Sequence, residues 1–197
     1  GLGGGSSNAA QTLLLLNKIH GDPLSHQTLM RLASNLGSDV PFFLFGKTAF
    51  ISGRGEKIRP APFFPEGWFL IVNPKFEIST PWAYHLWDLQ VRSLTKKFGD
   101  VTNSRFLSEA RAEIGAKTRD WMAATKKCHN DFGYVIYPKY PQLEKARYQL
   151  LKLGAGVVSL TGTGPTLFGT FKTESAAKLA KKHFQKKGWL SWITQGV

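Results

Sequence analysis

The chain has 197 residues, 42% hydrophobic, 13% aromatic and 20% charged, which is enough apolar material for one large domain or two small ones. Gly 20 and Pro 10 exclude collagen-like and low-complexity chains, the apolar runs at 13–16 and 42–45 are far too short to span a bilayer, and the lone Cys128 excludes an internal disulfide. The net charge of +13 lies mostly downstream: residues 1–60 hold six Lys/Arg against three Asp/Glu, and residues 61–197 hold twenty against ten, so anionic partners are expected.

The opening, Gly1-Leu2-Gly3-Gly4-Gly5-Ser6-Ser7-Asn8-Ala9-Ala10, has no initiator Met and no signal-like segment. It is expected to be the interior of a motif, a glycine turn leading into an Ala/Leu-rich helix over 11–19. Ser25 is an N-cap for a helix over 26–36 that Gly37 stops. Ser38-Asp39-Val40-Pro41 reads as a turn or helix start, 48–52 as a strand, and Gly53-Arg54-Gly55 as its turn.

The proline-rich stretch around Pro60, Pro62 and Pro65 is the expected linker, which gives domains over 1–60 and 67–197. Beyond it, 68–72 reads as a continuously buried strand. Ser79, Thr80 and Pro81 then open a helix through about Leu89, and 105–127 is expected to be a basic amphipathic helix. A helix over 142–153 closes at Gly154. Strands over 157–160 and 167–171 flank a second glycine-rich turn, Leu160-Thr161-Gly162-Thr163-Gly164-Pro165-Thr166, and a lysine-rich helix over 173–187 precedes a last strand over 189–193. This order suits an α+β chain with helices on an antiparallel sheet.

Glycines followed by serines and a helix are a physical solution for holding phosphate, because the backbone amides can approach an anion at the positive end of the helix. The opening is neither a Walker A loop nor a Rossmann fingerprint, and alone it also reads as a flexible linker. Asp39 alone reads as a cap or turn former, and the turn around Gly162, Thr163 and Gly164 as a hairpin loop. His20, His26, His85, His129 and His183 show no metal-ligand spacing, so no protein metal site is expected.

Together, GLGGGSSNAA, LGSDVPFFL, GKTAFISGRGEKI, WFLIVNP, ISTPWAY, the HNDF of 129–132 and LTGTGPTLFG resemble the kinases named for galactokinase, homoserine kinase, mevalonate kinase and phosphomevalonate kinase. Within that family the segments look like the branch that phosphorylates 4-diphosphocytidyl-2-C-methyl-D-erythritol in non-mevalonate isoprenoid synthesis. The resemblance implies a two-domain α+β fold: part of an N-terminal domain shared with some ribosomal proteins, a ferredoxin-like C-terminal domain, and an active site in the cleft between them. It implies that Gly1, Leu2, Gly3, Gly4, Gly5, Ser6 and Ser7 belong to the ATP phosphate loop and that Asp39 is the catalytic carboxylate. Thr80, Pro81 and Tyr84 would border the cytidine end of the substrate, and Gly162, Thr163 and Gly164 would close the site.

ATP and Mg²⁺ are the implied cofactors, and the implied setting is bacterial cytoplasm or a plastid, with no membrane or nucleic-acid partner. The family's N-terminal lysine and its other cytidine contacts match no residue here, so the chain by itself is expected to be inactive or nearly so. Two rival readings stay open: a kinase acting on another small alcohol, and a basic nucleic-acid-binding module, which lacks any ribonucleoprotein or zinc-finger pattern.

Overall fold

The computed structural model describes residues 1–55, 57–61, 67–98 and 130–196. The expected helix over 105–127 and Cys128 lie outside the described residues. Contacts divide the chain into a smaller unit, Leu2–Phe64, and a larger one, Pro65–Gly196 together with Gly1.

The smaller unit contains helices α1 (Gly4–Ile19), α2 (His26–Leu36) and α3 (Val40–Phe45), followed by strands β1 (Ala49–Ser52) and β2 (Lys57–Pro60). Its centre is Ala10, Ala33 and Val40, small side chains that let the three helices approach closely. Ser25 caps α2 as expected, accepting from the Thr28 amide at 3.3 Å. Buried Asn17 closes the α1–α2 loop: its amide donates to Asp22 Oδ1 and the Leu24 carbonyl, and its oxygen accepts from the Leu24 amide.

Two features of this unit differ from the expectation. Helix α1 begins at Gly4, so the glycine-serine cluster is its first turn rather than a loop before it. Strand β2, unexpected in sequence, pairs antiparallel with β1 from Ala49↔Pro60 to Ser52↔Lys57. Lys57-Ile58-Arg59-Pro60 has one apolar side chain, so it shows no alternation, and its strand state comes from the partner.

The larger unit runs β3 (Trp68–Asn73), α4 (Thr80–Phe98), α5 (Gly133–Lys139), α6 (Pro141–Lys152), β4 (Val158–Leu160), β5 (Leu167–Phe171), α7 (Glu174–Lys186) and β6 (Leu190–Gln195). The four strands form one antiparallel sheet in the order β4-β5-β3-β6, the ferredoxin-like arrangement. Leu70 and Val72 of β3 stand opposite Gly169 and Leu167 of β5, so they share one face of the sheet. That face packs under the helices with Leu143, Leu150, Ala180 and Phe184. Strand β3 is therefore fully buried on alternate residues only, not continuously as expected.

Helix α4 runs nine residues past the expected Leu89. Helix α5 was not expected at all: Pro138 lies inside it and Tyr140-Pro141 follows, a pattern that reads as helix-breaking. Buried Val135 and Ile136 hold its short turns against the core.

Candidate active site

Gly3 is the N-cap of α1 and adopts φ 65, ψ 22, the left-handed region. A Cβ there would also stand 2.7 Å from the tip of the Phe43 ring, so a side chain would strain the backbone and displace that ring. The Ser7 amide donates to the Gly3 carbonyl at 2.8 Å, which puts Ser6 and Ser7 inside the first turn, past the cap position. Gly4 and Gly5 are exposed, with nothing within 4 Å of a Cβ built on them. No acidic residue lies in this turn, so its unpaired amides and the helix dipole present uncancelled positive potential. Of the seven phosphate-loop residues named from sequence, Leu2 to Ser7 belong to this unit and Gly1 groups with the larger one.

Asp39 takes the N-cap position of α3, with φ −91 and ψ −14, but its side chain bonds none of the helix amides. The Val40 amide instead donates to the Gly37 carbonyl at 3.2 Å, and Pro41 has no amide hydrogen to donate. The carboxylate is exposed and does not serve as a cap. Gly55, at φ 123, packs against the Ser38 carbonyl so closely that a Cβ would overlap it. The turn of the β1–β2 hairpin thereby braces the backbone one residue before Asp39. Beside it Ser34, Ser38, Pro41 and Arg54 line a cavity of about 310 Å³. The sequence reading took Gly55 only as a turn residue and missed this brace.

In the larger unit, Ser79 Oγ accepts from the Trp82 amide at 3.4 Å and caps α4, which leaves Thr80, Pro81 and Tyr84 exposed at its start. Thr80 and Tyr84, four apart, share a helix face. The Tyr84 ring is 54% exposed and meets Phe132 edge-on at 4.9 Å. Thr80 Oγ1 lies 3.3 Å from Thr163 Oγ1 in the glycine-rich turn, where Gly162 is exposed and Thr163 and Gly164 are buried. That turn is closed by Thr161 N–H to Thr166 O at 3.0 Å and Gly164 N–H to Thr161 O at 2.9 Å. The structure thus brings Thr80, Tyr84 and Thr163 together, three residues that sequence reasoning placed in two separate motifs.

Two asparagines given no role from sequence hold this turn. Asn73 donates to Thr166 Oγ1 at 2.8 Å, and Asn130 donates to the carbonyls of Leu160 and Gly162 at 3.0 and 2.8 Å. Near Asn130, Tyr137 is held in its neutral form. Burial pushes its hydroxyl up to about 12, the Arg147 guanidinium opposes this, and Glu144 adds to it. Among the described residues no group of three or more His, Cys, Asp or Glu could hold a metal ion. None of the described helices is long and apolar enough to cross a membrane.

The family model for the GHMP kinases N terminal domain matches residues 1–47, and the one for GHMP kinases C terminal matches residues 112–188. The chain is similar to the 4-diphosphocytidyl-2-C-methyl-D-erythritol kinase of Syntrophus aciditrophicus, at 39% identity over 100% of this chain and 66% of that protein. The kinases of the same name from Geobacter sulfurreducens and Limosilactobacillus reuteri are each 36% identical, over 97% and 90% of this chain and 63% and 59% of theirs. A solved structure of a 4-(cytidine 5'-diphospho)-2C-methyl-D-erythritol kinase superposes with a TM-score of 0.70 at 28% identity, covering 98% of this chain and 64% of that one. Mevalonate kinase of L. major, solved with R-mevalonate, shares the fold alone, at TM-score 0.61 and 13% identity over 92% of this chain and 62% of its own.

With its N-terminal and C-terminal models both matched, the chain belongs to the GHMP kinase family. Relatives that align along its length include the 4-diphosphocytidyl-2-C-methyl-D-erythritol kinases of Syntrophus and Geobacter, and the chain spans somewhat less than two thirds of their length.

Proposed function

We propose that the protein transfers the γ-phosphate of ATP to the 2-hydroxyl of 4-diphosphocytidyl-2-C-methyl-D-erythritol, a step in building isoprenoid precursors by the non-mevalonate route. The likeness to kinases of that name along the whole chain supports the substrate. The observation that carries the chemistry is Asp39: an exposed carboxylate at a helix start that its own helix does not use. The bacterial sources of the relatives support a cytoplasmic setting.

Phosphoryl transfer asks little covalent help from a protein and much positioning and charge stabilisation. The amides at the start of α1, between Gly3 and Ser7, hold ATP phosphate oxygens against a positive helix end. Asp39 orients the attacking hydroxyl and accepts its proton as the new O–P bond forms and the β–γ bridging bond breaks, leaving ADP. Thr80, Pro81 and Tyr84 receive the cytidine end, with the half-exposed Tyr84 ring as a stacking face. Gly162, Thr163 and Gly164 back that strip. Mg²⁺ brought by ATP would neutralise phosphate charge, and the Ser6 or Ser7 hydroxyl in the first turn of α1 would be its protein ligand.

The test is ADP release by the complete encoded protein with ATP, Mg²⁺ and each of three alcohols: the cytidine-bearing substrate, homoserine and mevalonate. Turnover is expected with the first only. Tyr84→Ala is expected to raise the KM for that alcohol about tenfold through loss of base stacking. Turnover of homoserine or mevalonate in its place would keep the family and overturn the substrate.

A further inference from the structure

The Asn130 side chain reaches two places at once. Its Nδ2 donates to both the Leu160 and Gly162 carbonyls, at 3.0 and 2.8 Å, and its Oδ1 accepts from the Phe132 amide at 3.0 Å. Both amide hydrogens are therefore used, and the network fixes which end of the amide faces the turn. The first pair of bonds spans the entry to the glycine-rich turn, which carries Thr163 to within 3.3 Å of Thr80 Oγ1. The third bond anchors the backbone of Phe132, whose ring packs edge-on against Tyr84 at 4.9 Å. Thr80 and Tyr84 are thus each backed by a group that Asn130 holds.

We infer that Asn130 is a positioning residue for the Thr80–Tyr84 face, fixing the 160–166 turn on one side and Phe132 on the other. The inference deepens the proposed function, on which its link to the substrate rests. No other side chain satisfies the same three bonds: aspartate cannot donate to the two carbonyls and would set a negative oxygen against them, serine has one donor and a shorter reach, and glutamine is a methylene too long. Asn73 holds the far end of the turn through Thr166 Oγ1, so losing Asn130 frees the entry while the exit stays tied.

Asn130→Asp isolates the donor role, because it keeps the shape and the oxygen that accepts from Phe132. In the complete protein, amide hydrogen exchange at Thr161 and Gly164 is expected to speed up about tenfold, as when one well-made hydrogen bond is lost, with the β3 amides unchanged. The KM for the cytidine-bearing alcohol is expected to rise about tenfold while that for ATP moves by less than about twofold. Thr163→Val removes only the hydroxyl. It is expected to reproduce the KM rise without the faster exchange at Thr161; if Asn130→Asp does not fold, Asn130→Gln, uncharged but a methylene too long, carries the exchange test.

Unchanged exchange at Thr161 and Gly164 in Asn130→Asp would overturn the inference. So would faster exchange with an unchanged alcohol KM. If the wild-type protein phosphorylates no cytidine-bearing alcohol, the proposed function falls, and the exchange rates alone then decide whether Asn130 holds the turn.

Discussion

Asp39 and Gly3 show how one position can be decided by conformation or by what it leaves unpaired. At Gly3 the left-handed backbone disfavours a Cβ, which would also push aside the tip of the Phe43 ring 2.7 Å away. Gly3→Ala is therefore expected to destabilise the smaller unit by about 1–3 kcal/mol, read as a lowered midpoint in denaturant unfolding. Asp39 carries no such structural duty, so its removal should be felt in chemistry and not in folding. Tyr137 gives a pH signature instead. Unfolded, it ionises near its ordinary value of 10.0; folded, it keeps its proton until about 12. Between those values the folded state holds a proton that the unfolded state has lost, so stability falls as pH rises through that window. Tyr137→Phe is expected to flatten the fall, and a tyrosinate absorbance titration should show one tyrosine ionising late.

The β1–β2 hairpin works as a brace. Its turn places Gly55, at φ 123, against the Ser38 carbonyl next to Asp39. Gly55→Ala is expected to cost about 1–3 kcal/mol and to lower kcat as well, because the strain is released into the segment that carries the carboxylate; unaltered kinetics in a stably folded Gly55→Ala protein would contradict the brace. Elements with local signals were legible in the sequence: Ser25 and Gly37 bound α2, and Thr173 caps α7 by accepting from the Ala176 amide. Elements decided by tertiary partners were not. Strand β2 has one apolar side chain and exists by pairing, and α5 contains a proline yet is held by Val135 and Ile136 in the core. The glycine run reads as a loop on propensity, but it is carried into the first turn of a 16-residue helix that Ala10 and Leu13 pack into the core of the smaller unit. The candidate site was less legible than the fold. Asp39 read locally as a cap and gained its role only from a family resemblance, and Asn130 gave no local sign that it reaches carbonyls some thirty residues away.

The charge of +13 belongs to the whole chain. On α7 the Glu174–Lys178 pair at 2.8 Å is a solvent-exposed i,i+4 bridge, which adds little stability and leaves most of the helix's lysines to set the surface potential. Both proposed substrates are polyanions, so kcat/KM is expected to fall severalfold between low and physiological salt, with kcat itself nearly unchanged. Micromolar, steeply salt-dependent binding to a random duplex would instead support the nucleic-acid reading of the same charge. The most direct measurement is ADP release by the complete protein and its Asp39→Asn variant, with ATP, Mg²⁺ and the cytidine-bearing alcohol, alongside the thermal midpoint of each. The expected result is a kcat lowered by about 10²–10⁴ with the midpoint unmoved, because the carboxylate is proposed to act on the attacking hydroxyl and makes no capping bond to its helix. A variant that turns over within about tenfold of wild type, or that loses activity only by unfolding, would contradict the role given to Asp39.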